Sequence, residues 1–216
     1  MTDEIAEKPA KSRRLRKAAW IGVITLAAAT VVAGLYCYQR WGLLNFHTVV
    51  PGKVYRSAQP DERRLREWAQ RYGIRTVVCL RSDIRHPAVI AERQAAERLG
   101  LQFIMVPLDS ARLPNKNEMR RLIEVIETAD RPMLIHCRAG ADRTGVASVM
   151  AAMAVGGMRY SEAKKQLSAR YLHLAPSGSH VGGLLDVYER NRGQGGSAGG
   201  WDEFKDWALN VYAGGK

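Results

Sequence analysis

Cysteine is scarce in this chain, which has only Cys37, Cys79 and Cys137 among its 216 residues. Three cysteines cannot build a disulfide framework, and no two of them have the spacing of zinc ligands. No other cluster of metal-ligating residue types stands out, and there is no internal repeat. We therefore expect no metal and no other cofactor, and each cysteine has to be judged by its own surroundings.

Acidic residues are also in short supply, at 21 against 33 basic residues, which gives a net charge of +12. Most of the excess lies in residues 47–192. A basic surface concentrates anions such as phosphoproteins, lipid headgroups or nucleic acids, although the same charge also fits a merely solvated surface. Because no platform of aromatic residues alternates with the basic ones, a nucleic-acid partner is not expected.

Only one long apolar run is present, at residues 18–38. It carries no charge and has about the 20 residues that a helix needs to cross a bilayer. Residues 1–17 are rich in lysine and arginine, whereas only Arg40 follows the run closely. The positive-inside rule then predicts a single-pass protein with residues 1–17 in the cytoplasm and the remainder on the far side of the membrane.

Two other interpretations of this run remain open. Val31-Val32-Ala33 is an acceptable site for cleavage of a signal peptide. Ser12-Arg13-Arg14 is similar to a twin-arginine export signal. All three interpretations export the residues that follow, and Cys37 is most simply an apolar residue facing the membrane.

From residue 47 onward, short apolar runs alternate with helical patterns. This alternation predicts an α/β domain over residues 47–192, a central mixed sheet flanked by helices. The predicted strands are Val54–Arg56, Thr76–Leu80, Leu101–Val106 and Met133–Ile135. The predicted helices run from Pro60-Asp61 to Gly73, from Pro87 to Leu99, through Met119–Ile126, and over about 144–155, 161–173 and 179–191.

Residues 193–216 form a separate C-terminal segment. The glycine-rich stretch 193–200 is typical of a flexible linker. Beyond it, one helical face carries Trp201, Phe204, Trp207, Ala208 and Val211. Acidic neighbours oppose docking on an anionic membrane, so we expect this helix to fold back on the domain or on a partner.

The residues with the clearest chemical meaning are HCRAGADRTG, at 136–145, between a buried strand and an apolar helix. This context predicts a loop whose backbone N–H groups converge on one point and bind an anion. Gly140 allows the tight turn. Arg143 offers a planar fork that matches two phosphate oxygens. The residues expected to hold phosphate are Arg138, Ala139, Gly140, Ala141, Asp142 and Arg143.

Cys137 begins this loop and is the expected nucleophile. The amide dipoles and the nearby guanidinium stabilise a thiolate, which lowers the pKa of the thiol. Thr144 is placed to hydrogen-bond the sulfur, and His136 is expected to fix the loop by hydrogen-bonding the backbone rather than to act as a base.

HCRAGADRTG resembles the His-Cys-x2-Gly-x2-Arg-Thr signature of the protein tyrosine and dual-specificity phosphatases. Together with VYRSAQP at 54–60 and GIRTVVCLRSD at 73–83, it is similar to the compact, exported bacterial members linked to biofilm control, and more distantly to the plant and fungal atypical group. The resemblance covers about residues 47–175. It implies a protein-tyrosine-phosphatase-like fold of the dual-specificity type, and a bacterial inner-membrane protein with a periplasmic catalytic domain.

The resemblance also implies an aspartate that protonates the leaving oxygen, located about 30 residues before the cysteine. Asp109, in a proline-containing loop after a predicted strand, fits this role best. Asp83 and Asp142 are the alternatives, but a carboxylate at 142 would repel bound phosphate unless paired. We expect Asp142 to point to solvent or to Arg138.

The resemblance implies an enzyme that hydrolyses phosphomonoesters through a cysteinyl-phosphate intermediate. The chain lacks the extra length and the Lys-Asn-Arg-Tyr-type loop of the large tyrosine-specific enzymes, so we expect a shallower pocket that accepts phosphoserine and phosphothreonine as well as phosphotyrosine. Phosphotyrosine in a protein is the first expected substrate. A phospholipid, phosphoinositide or inositol-phosphate phosphatase is the alternative, and an inactive phosphate-binding module is the alternative outside enzymes. Cys79 is interpreted as buried filler, with reversible disulfide protection of Cys137 as the other hypothesis.

Overall fold

The structure is a computed structural model that describes residues 8–38, 43–174, 181–192 and 199–215. The chain divides into two compact units, Met1–Gly42 and Leu43–Lys216.

The described part of the first unit forms one long helix, α1, spanning Lys8–Cys37. Its stretch Leu15–Cys37 has a mean hydropathy of 2.0 and is long and apolar enough to cross a membrane, a property shared by anchors and signal sequences. Inside the helix the Thr25 and Thr30 hydroxyls donate to carbonyls of the preceding turn at 2.9 Å. These bonds satisfy both threonine hydroxyls of the apolar run without a partner outside the helix.

The second unit contains a five-stranded sheet. Its strands are β1 (His47–Val50), β2 (Val54–Ala58), β3 (Thr76–Arg81), β4 (Gln102–Leu108) and β5 (Met133–Cys137). Its helices are α2 (Glu62–Tyr72), α3 (Pro87–Arg98), α4 (Lys116–Thr128), α5 (Asp142–Ala154), α6 (Tyr160–Ala163), α7 (Gly183–Arg192) and α8 (Trp201–Asp206). The strand order is β1-β2-β5-β3-β4. Only β1 runs antiparallel to its neighbour, which confirms the predicted mixed sheet flanked by helices.

Strand β5 lies at the centre of the sheet and is buried along its whole length. Because side chains alternate between the faces of a strand, its residues belong to two different packing layers. Ile135 and Cys137 join the cluster that contains the core residues of α4 and α5. Leu134 joins the cluster formed with α2 and α3. Cys137 and His136 therefore act on opposite sides of the sheet.

The helix predicted over 161–173 is wrong. Helix α6 ends at Ala163 and is followed by two 3-10 turns, Lys164–Gln166 and Ala169–Tyr171. Between them the backbone of Ser168 is extended. The Gln166 carbonyl accepts a hydrogen bond from the buried Arg56 side chain at 2.5 Å, so a tertiary contact takes the place of the next helical bond.

The C-terminal helix α8 continues into a π-helical turn, Trp207–Val211, and folds back on the domain. Phe204 and Trp207 are buried against Tyr188, with ring centroids 4.7 and 4.9 Å apart. Val211, predicted to lie on this buried face, is 58% exposed. The wider turn, in which the Tyr212 amide bonds the Trp207 carbonyl, rotates Val211 away from the core.

Three sequence-based expectations fall on residues whose placement is not described. Most of the predicted linker 193–200, the first residues of the helix predicted over 179–191, and Arg40 lie outside the described ranges.

Candidate active site

Cys137 ends the central strand at the carboxyl edge of four parallel strands, and helix α5 begins five residues later at Asp142. The intervening residues form the loop that the sequence predicts. The Cys137 residue is only 2% exposed, whereas Arg138 beside it is exposed. The thiol therefore lies at the base of the loop, below its exposed rim.

Gly140 allows the loop to lie against strand β2. Its φ is +70°, in the left-handed region that favours glycine. A Cβ atom at this position would come within 2.5 Å of the Ser57 carbonyl oxygen and 2.6 Å of the Ala58 nitrogen. Because both are backbone atoms of the sheet, neither can move away cheaply.

Two buried side chains hold the loop from behind. Arg56 Nη2 donates to the Gly140 carbonyl at 2.8 Å, and Asn45 Nδ2 donates to the same carbonyl at 3.0 Å and to that of Ala139 at 3.3 Å. Because these carbonyl oxygens point toward Asn45 and Arg56, the N–H groups of the same peptide units point the opposite way, toward the anion site. Residues Asn45 and Arg56 thus build the loop without belonging to it.

Both supporting residues escaped the sequence analysis as site residues. Arg56 was noticed only within the VYRSAQP resemblance, and Asn45 lies before the predicted domain start at residue 47. The available signal was an arginine inside an otherwise apolar strand, since a buried charge requires specific partners.

The electrostatics of the loop favour a thiolate. Burial raises the pKa of the Cys137 thiol, but the Arg143 guanidinium, the Thr144 hydroxyl and amide, and the Gly140 amide together hold that pKa below its ordinary value. Convergent amides and a cation are the known means of activating a cysteine. The structure therefore brings Cys137, Gly140, Arg143 and Thr144 together as the sequence predicts.

Arg143 is held at the end of strand β4, where its Nη1 donates to the Leu108 carbonyl at 3.2 Å. Asp109 is the next residue and begins the loop between β4 and α4. Its Oδ1 accepts from the Ala111 amide at 2.8 Å, which stabilises the turn. The candidate proton donor thus lies immediately beside the anchor of the candidate phosphate clamp.

The other two aspartates are engaged elsewhere. Arg81 binds both carboxylate oxygens of Asp83, and this hydrogen bonding lowers the pKa of Asp83 to about 2. Such a group stays ionised at neutral pH and is unsuited to donate a proton. Asp142 pairs with His173 at 2.6 Å, and the expectation that it points to solvent or to Arg138 is wrong. The partner, 31 residues away, could not be recognised from sequence.

His136 is held on the opposite face of the sheet by Glu92, whose Oε1 lies 2.7 Å from Nε2. Its Nδ1 is 3.4 Å from the Cys137 carbonyl oxygen, the backbone contact that the sequence predicts. Burial lowers the pKa of His136, but the Glu92 carboxylate outweighs it and raises that pKa well above its usual value. Glu92 also accepts from Gln59 at 2.8 Å, and sequence analysis did not identify it.

Cys79 completes a buried cluster with Glu92 and His136, whose potential ligand atoms all lie within 4.8 Å of one another. The sequence showed no such group, because the three residues come from β3, α3 and β5. Histidine and carboxylate lie at ion-pair distance from each other, so their burial needs no ion to explain it. Cys79 shares a face with His136 and not with Cys137, which contradicts the hypothesis of a Cys79–Cys137 disulfide.

A groove of about 490 Å³ opens beside the loop. Arg138 lines it together with Gln59, Arg81 and Arg98, and Asp61 and Glu62 lie along the other part of its wall. The exposed rim of the loop is therefore continuous with a charged groove.

Comparison with known proteins agrees with this architecture. Rice (Oryza sativa subsp. japonica) inositol diphosphatase DSP1 is 32% identical over 107 residues, which are 47% of this chain and 46% of that protein. The chain thus spans about half the length of this curated relative.

Two solved structures are similar in fold. P. aeruginosa TpbA in complex with pTyr has a TM-score of 0.53 at 20% identity, covering 77% of this chain and 91% of that one. The catalytic core of the S. cerevisiae PP-IP phosphatase SIW14 has a TM-score of 0.52 at 17% identity, covering 68% and 93%. These likenesses confirm the predicted protein-tyrosine-phosphatase-like fold.

The family of DSP-PTPase phosphatases fused to NAD+ kinase matches residues 48–177, a range that contains the loop, Arg56 and Asp109. Because this match covers more than half of the 216 residues, the chain belongs to that family of dual-specificity-type, cysteine-dependent phosphatases.

Proposed function

We propose that this chain hydrolyses phosphomonoesters through a covalent cysteinyl-phosphate intermediate. The observation that carries the proposal is the environment of Cys137, a buried thiol whose pKa is lowered by a guanidinium, a hydroxyl and loop amides. The same groups that stabilise a thiolate also suit a phosphate dianion. Nucleophile and substrate site would thus share one electrostatic origin.

The first step would transfer phosphorus to sulfur. The Cys137 thiolate attacks phosphorus, the bond to the leaving oxygen breaks, and Asp109 gives that oxygen its proton. The Arg143 fork and the loop amides bind the equatorial oxygens, on which charge is spread during transfer.

The second step would hydrolyse the intermediate. Water attacks phosphorus while Asp109 accepts its proton, the phosphorus–sulfur bond breaks, and inorganic phosphate leaves. The Thr144 hydroxyl, which helps to lower the pKa of the Cys137 thiol, stabilises the departing thiolate. No step of this scheme requires a group from outside the chain other than water.

The substrate we propose first is a phosphorylated protein, with phosphotyrosine ahead of phosphoserine and phosphothreonine. The fold that the chain shares with TpbA, a structure containing pTyr, is compatible with this choice. The exposed groove beside Arg138 provides room for residues flanking a phosphorylated side chain.

A second candidate is an inositol phosphate, an inositol diphosphate or an anionic lipid headgroup. It is favoured by the rice inositol diphosphatase relative and by the three arginines 81, 98 and 138 along the groove. However, Arg81 pairs with Asp83 and Arg98 with Glu62, so two of the three cations are partly neutralised. This weakens the case for a polyanionic substrate.

We also propose that α1 anchors the protein in a bacterial inner membrane, with the catalytic unit in the periplasm. The length and hydropathy of Leu15–Cys37 support a membrane span, and the basic residues before it support this orientation. A reporter fused after residue 216 that is active only in the periplasm tests the orientation; activity of a cytoplasmic reporter would reverse it.

The test of the proposed chemistry is a substrate panel run with the full-length protein in a non-ionic detergent, as wild type and as Cys137→Ser. It should include p-nitrophenyl phosphate, phosphotyrosine and phosphoserine peptides, an inositol diphosphate and phosphoinositide vesicles. We expect turnover of the aryl phosphate, preference for the phosphotyrosine peptide, a phosphoprotein trapped by rapid denaturation at neutral or alkaline pH, and loss of all three in Cys137→Ser. Turnover that survives Cys137→Ser would overturn the mechanism, binding without turnover would indicate an inactive module, and a large preference for vesicles or inositol diphosphate would replace the substrate.

A further inference from the structure

We propose that the C-terminal tail, Tyr212–Gly215, positions the loop that carries Asp109 and thereby sets the efficiency of proton transfer to the leaving group. The tail lies outside the residues that match the family. This inference rests on the proposed role of Asp109 and deepens it by naming a second element that the acid step depends on.

The Asp109 loop, residues 109–115, connects β4 to α4 and is fixed at both ends. At its beginning, Arg143 donates to the carbonyl of Leu108. At its far end, the Pro114 carbonyl accepts two hydrogen bonds from the tail, one from the Tyr212 hydroxyl at 2.7 Å and one from the Gly215 amide at 3.0 Å.

The first of these bonds is buried, since Tyr212 is only 3% exposed. Burial raises the pKa of Tyr212 to about 12, so its hydroxyl stays protonated and donates at neutral pH. If the Tyr212 hydroxyl is removed, the buried Pro114 carbonyl loses the shorter of its two hydrogen bonds. Loss of a buried hydrogen bond costs more free energy than loss of a solvent-exposed one.

The tail also packs directly on the loop. A Cβ atom added to Gly215 would overlap the carbonyl oxygen of Leu113. Gly214 has a φ of +86°, and a Cβ atom added there would lie 3.3 Å from the backbone nitrogen of Lys116. The two backbones therefore run in contact. Such a close approach requires glycine at 215 and indicates that the tail and loop are fitted to each other.

The loop is also bonded to helix α4. Arg112 binds Glu118 through both Nη atoms, at 2.8 and 2.5 Å, and Asn115 caps helix α4. These contacts fix the loop to α4, whereas among the described residues it is the tail that bonds the Pro114 carbonyl. Four residues lie between Asp109 and Pro114, so a shift at Pro114 is transmitted to the acid over a short stretch of chain.

The tail itself is held by the hydrophobic core. The ring of Tyr212 packs on Trp207 at 5.2 Å, and Trp207 is buried against Tyr188. Lys205 and Trp201 bind Glu127 of α4 at 2.7 and 2.8 Å. Helix α8 and the π turn thus give the tail a firm base on the same helix that the Asp109 loop enters.

The matched variants are Tyr212→Phe, which removes only the donating hydroxyl, and Tyr160→Phe, which removes a hydroxyl bonded to Glu189 in the same core. In full-length protein we expect Tyr212→Phe to lower kcat/KM for phenyl phosphate, a poor leaving group, by about 5–20-fold, a part of the typical contribution of a general acid. For 2,4-dinitrophenyl phosphate, which leaves without protonation, kcat/KM should change by less than about 2-fold, because kcat/KM reports the transfer to sulfur and not the later hydrolysis in which Asp109 acts as base. Tyr160→Phe should stay close to wild type with both substrates, and Gly215→Ala should reproduce the Tyr212→Phe pattern.

Asp109→Asn and the double variant Asp109→Asn/Tyr212→Phe separate this inference from the function on which it rests. If the tail acts through Asp109, Tyr212→Phe has no further effect once Asp109 is replaced. A steep leaving-group dependence in Asp109→Asn but not in Tyr212→Phe, or equal losses for both leaving groups in Tyr212→Phe, would overturn the tail inference alone. Absence of leaving-group dependence in Asp109→Asn would overturn both.

Discussion

Replacement of Arg56 by methionine tests how the loop is supported from behind. Arg56 is fully buried, and burial lowers its pKa to about 10, so it remains a cation at neutral pH. It donates to the carbonyls of Gly140 and Gln166 and stacks 4.2 Å above the Tyr171 ring. Methionine keeps much of the volume but removes the charge and every donor.

The expected loss of stability follows from these contacts. A hydrogen bond from a charged donor contributes about 1.5–3 kcal/mol, so the bonds to Gly140 and Gln166 together contribute about 3–6 kcal/mol. Because removal of a buried cation also removes its desolvation cost, part of this free energy is recovered in the variant. We therefore expect Arg56→Met to lower the free energy of unfolding by about 2–4 kcal/mol.

Activity should fall as well, because the Gly140 carbonyl would no longer be held and the loop amides would converge less well. Loss of one preorganised donor to the transition state, such as a loop amide, typically lowers kcat by about 100-fold or more. The measurements are urea denaturation followed by tryptophan fluorescence, and kcat/KM for p-nitrophenyl phosphate under conditions where the variant is folded. Arg170→Met, which removes an exposed arginine 5.7 Å from the same ring, is the matched control and should change neither quantity much. An Arg56→Met protein as stable as wild type and within about 3-fold of its kcat/KM would refute this reasoning.

Three further predictions concern single groups. Asp83→Asn should lower kcat for phenyl phosphate by less than about 3-fold, whereas Asp109→Asn should lower it by about 100-fold or more, and equal losses would contradict the choice of acid. Burial and nearby cations lower the pKa of His47 to about 4. Between about pH 6.5 and 4 the folded state therefore binds fewer protons than the unfolded state, and the free energy of unfolding decreases as the pH is lowered. In urea denaturation, His47→Gln should make this decrease smaller by at most about 3 kcal/mol, and a pH dependence equal to that of the wild type would contradict the prediction. Cys79→Ser should leave recovery from peroxide by dithiothreitol unaltered; recovery that requires Cys79 would contradict its place on the face opposite Cys137.

Features with a local origin could be predicted from the sequence. The apolar run Met133–Ile135 before His136-Cys137 predicts a buried strand. HCRAGADRTG predicts the loop and the start of the next helix, because the glycine and the arginine that define them are close in sequence. Asp61 caps α2 and Gly73 ends it in the left-handed conformation, as their residue types suggest. In each case the deciding contacts lie within a few residues.

Features that depend on distant contacts could not be predicted. Asn45 donates to carbonyls 94 and 95 residues away, and Glu92 on helix α3 contacts His136 on strand β5. Residues 161–173 have a helical pattern, but Arg56, 110 residues earlier, binds the Gln166 carbonyl at the end of the 3-10 turn that follows α6. Tertiary contacts override local propensity at these positions.

The choice among aspartates shows the same division. Sequence position ranks Asp109 first by its distance from Cys137, yet it does not reveal that Arg81 binds Asp83 or that His173 binds Asp142. Only the folded chain shows that the two rivals already have partners.

The central claim is that one arrangement of amides and a guanidinium makes the sulfur of Cys137 an anion and binds phosphate at the same place. The direct measurement is the pH dependence of carboxymethylation of Cys137 by iodoacetate, followed by mass spectrometry of the peptide that contains it, with and without inorganic phosphate. We predict a midpoint below the value of about 8.5 for an ordinary thiol, alkylation faster than that of glutathione at neutral pH, and protection by phosphate. A thiol that reacts no faster than glutathione and is not protected by phosphate would contradict the account.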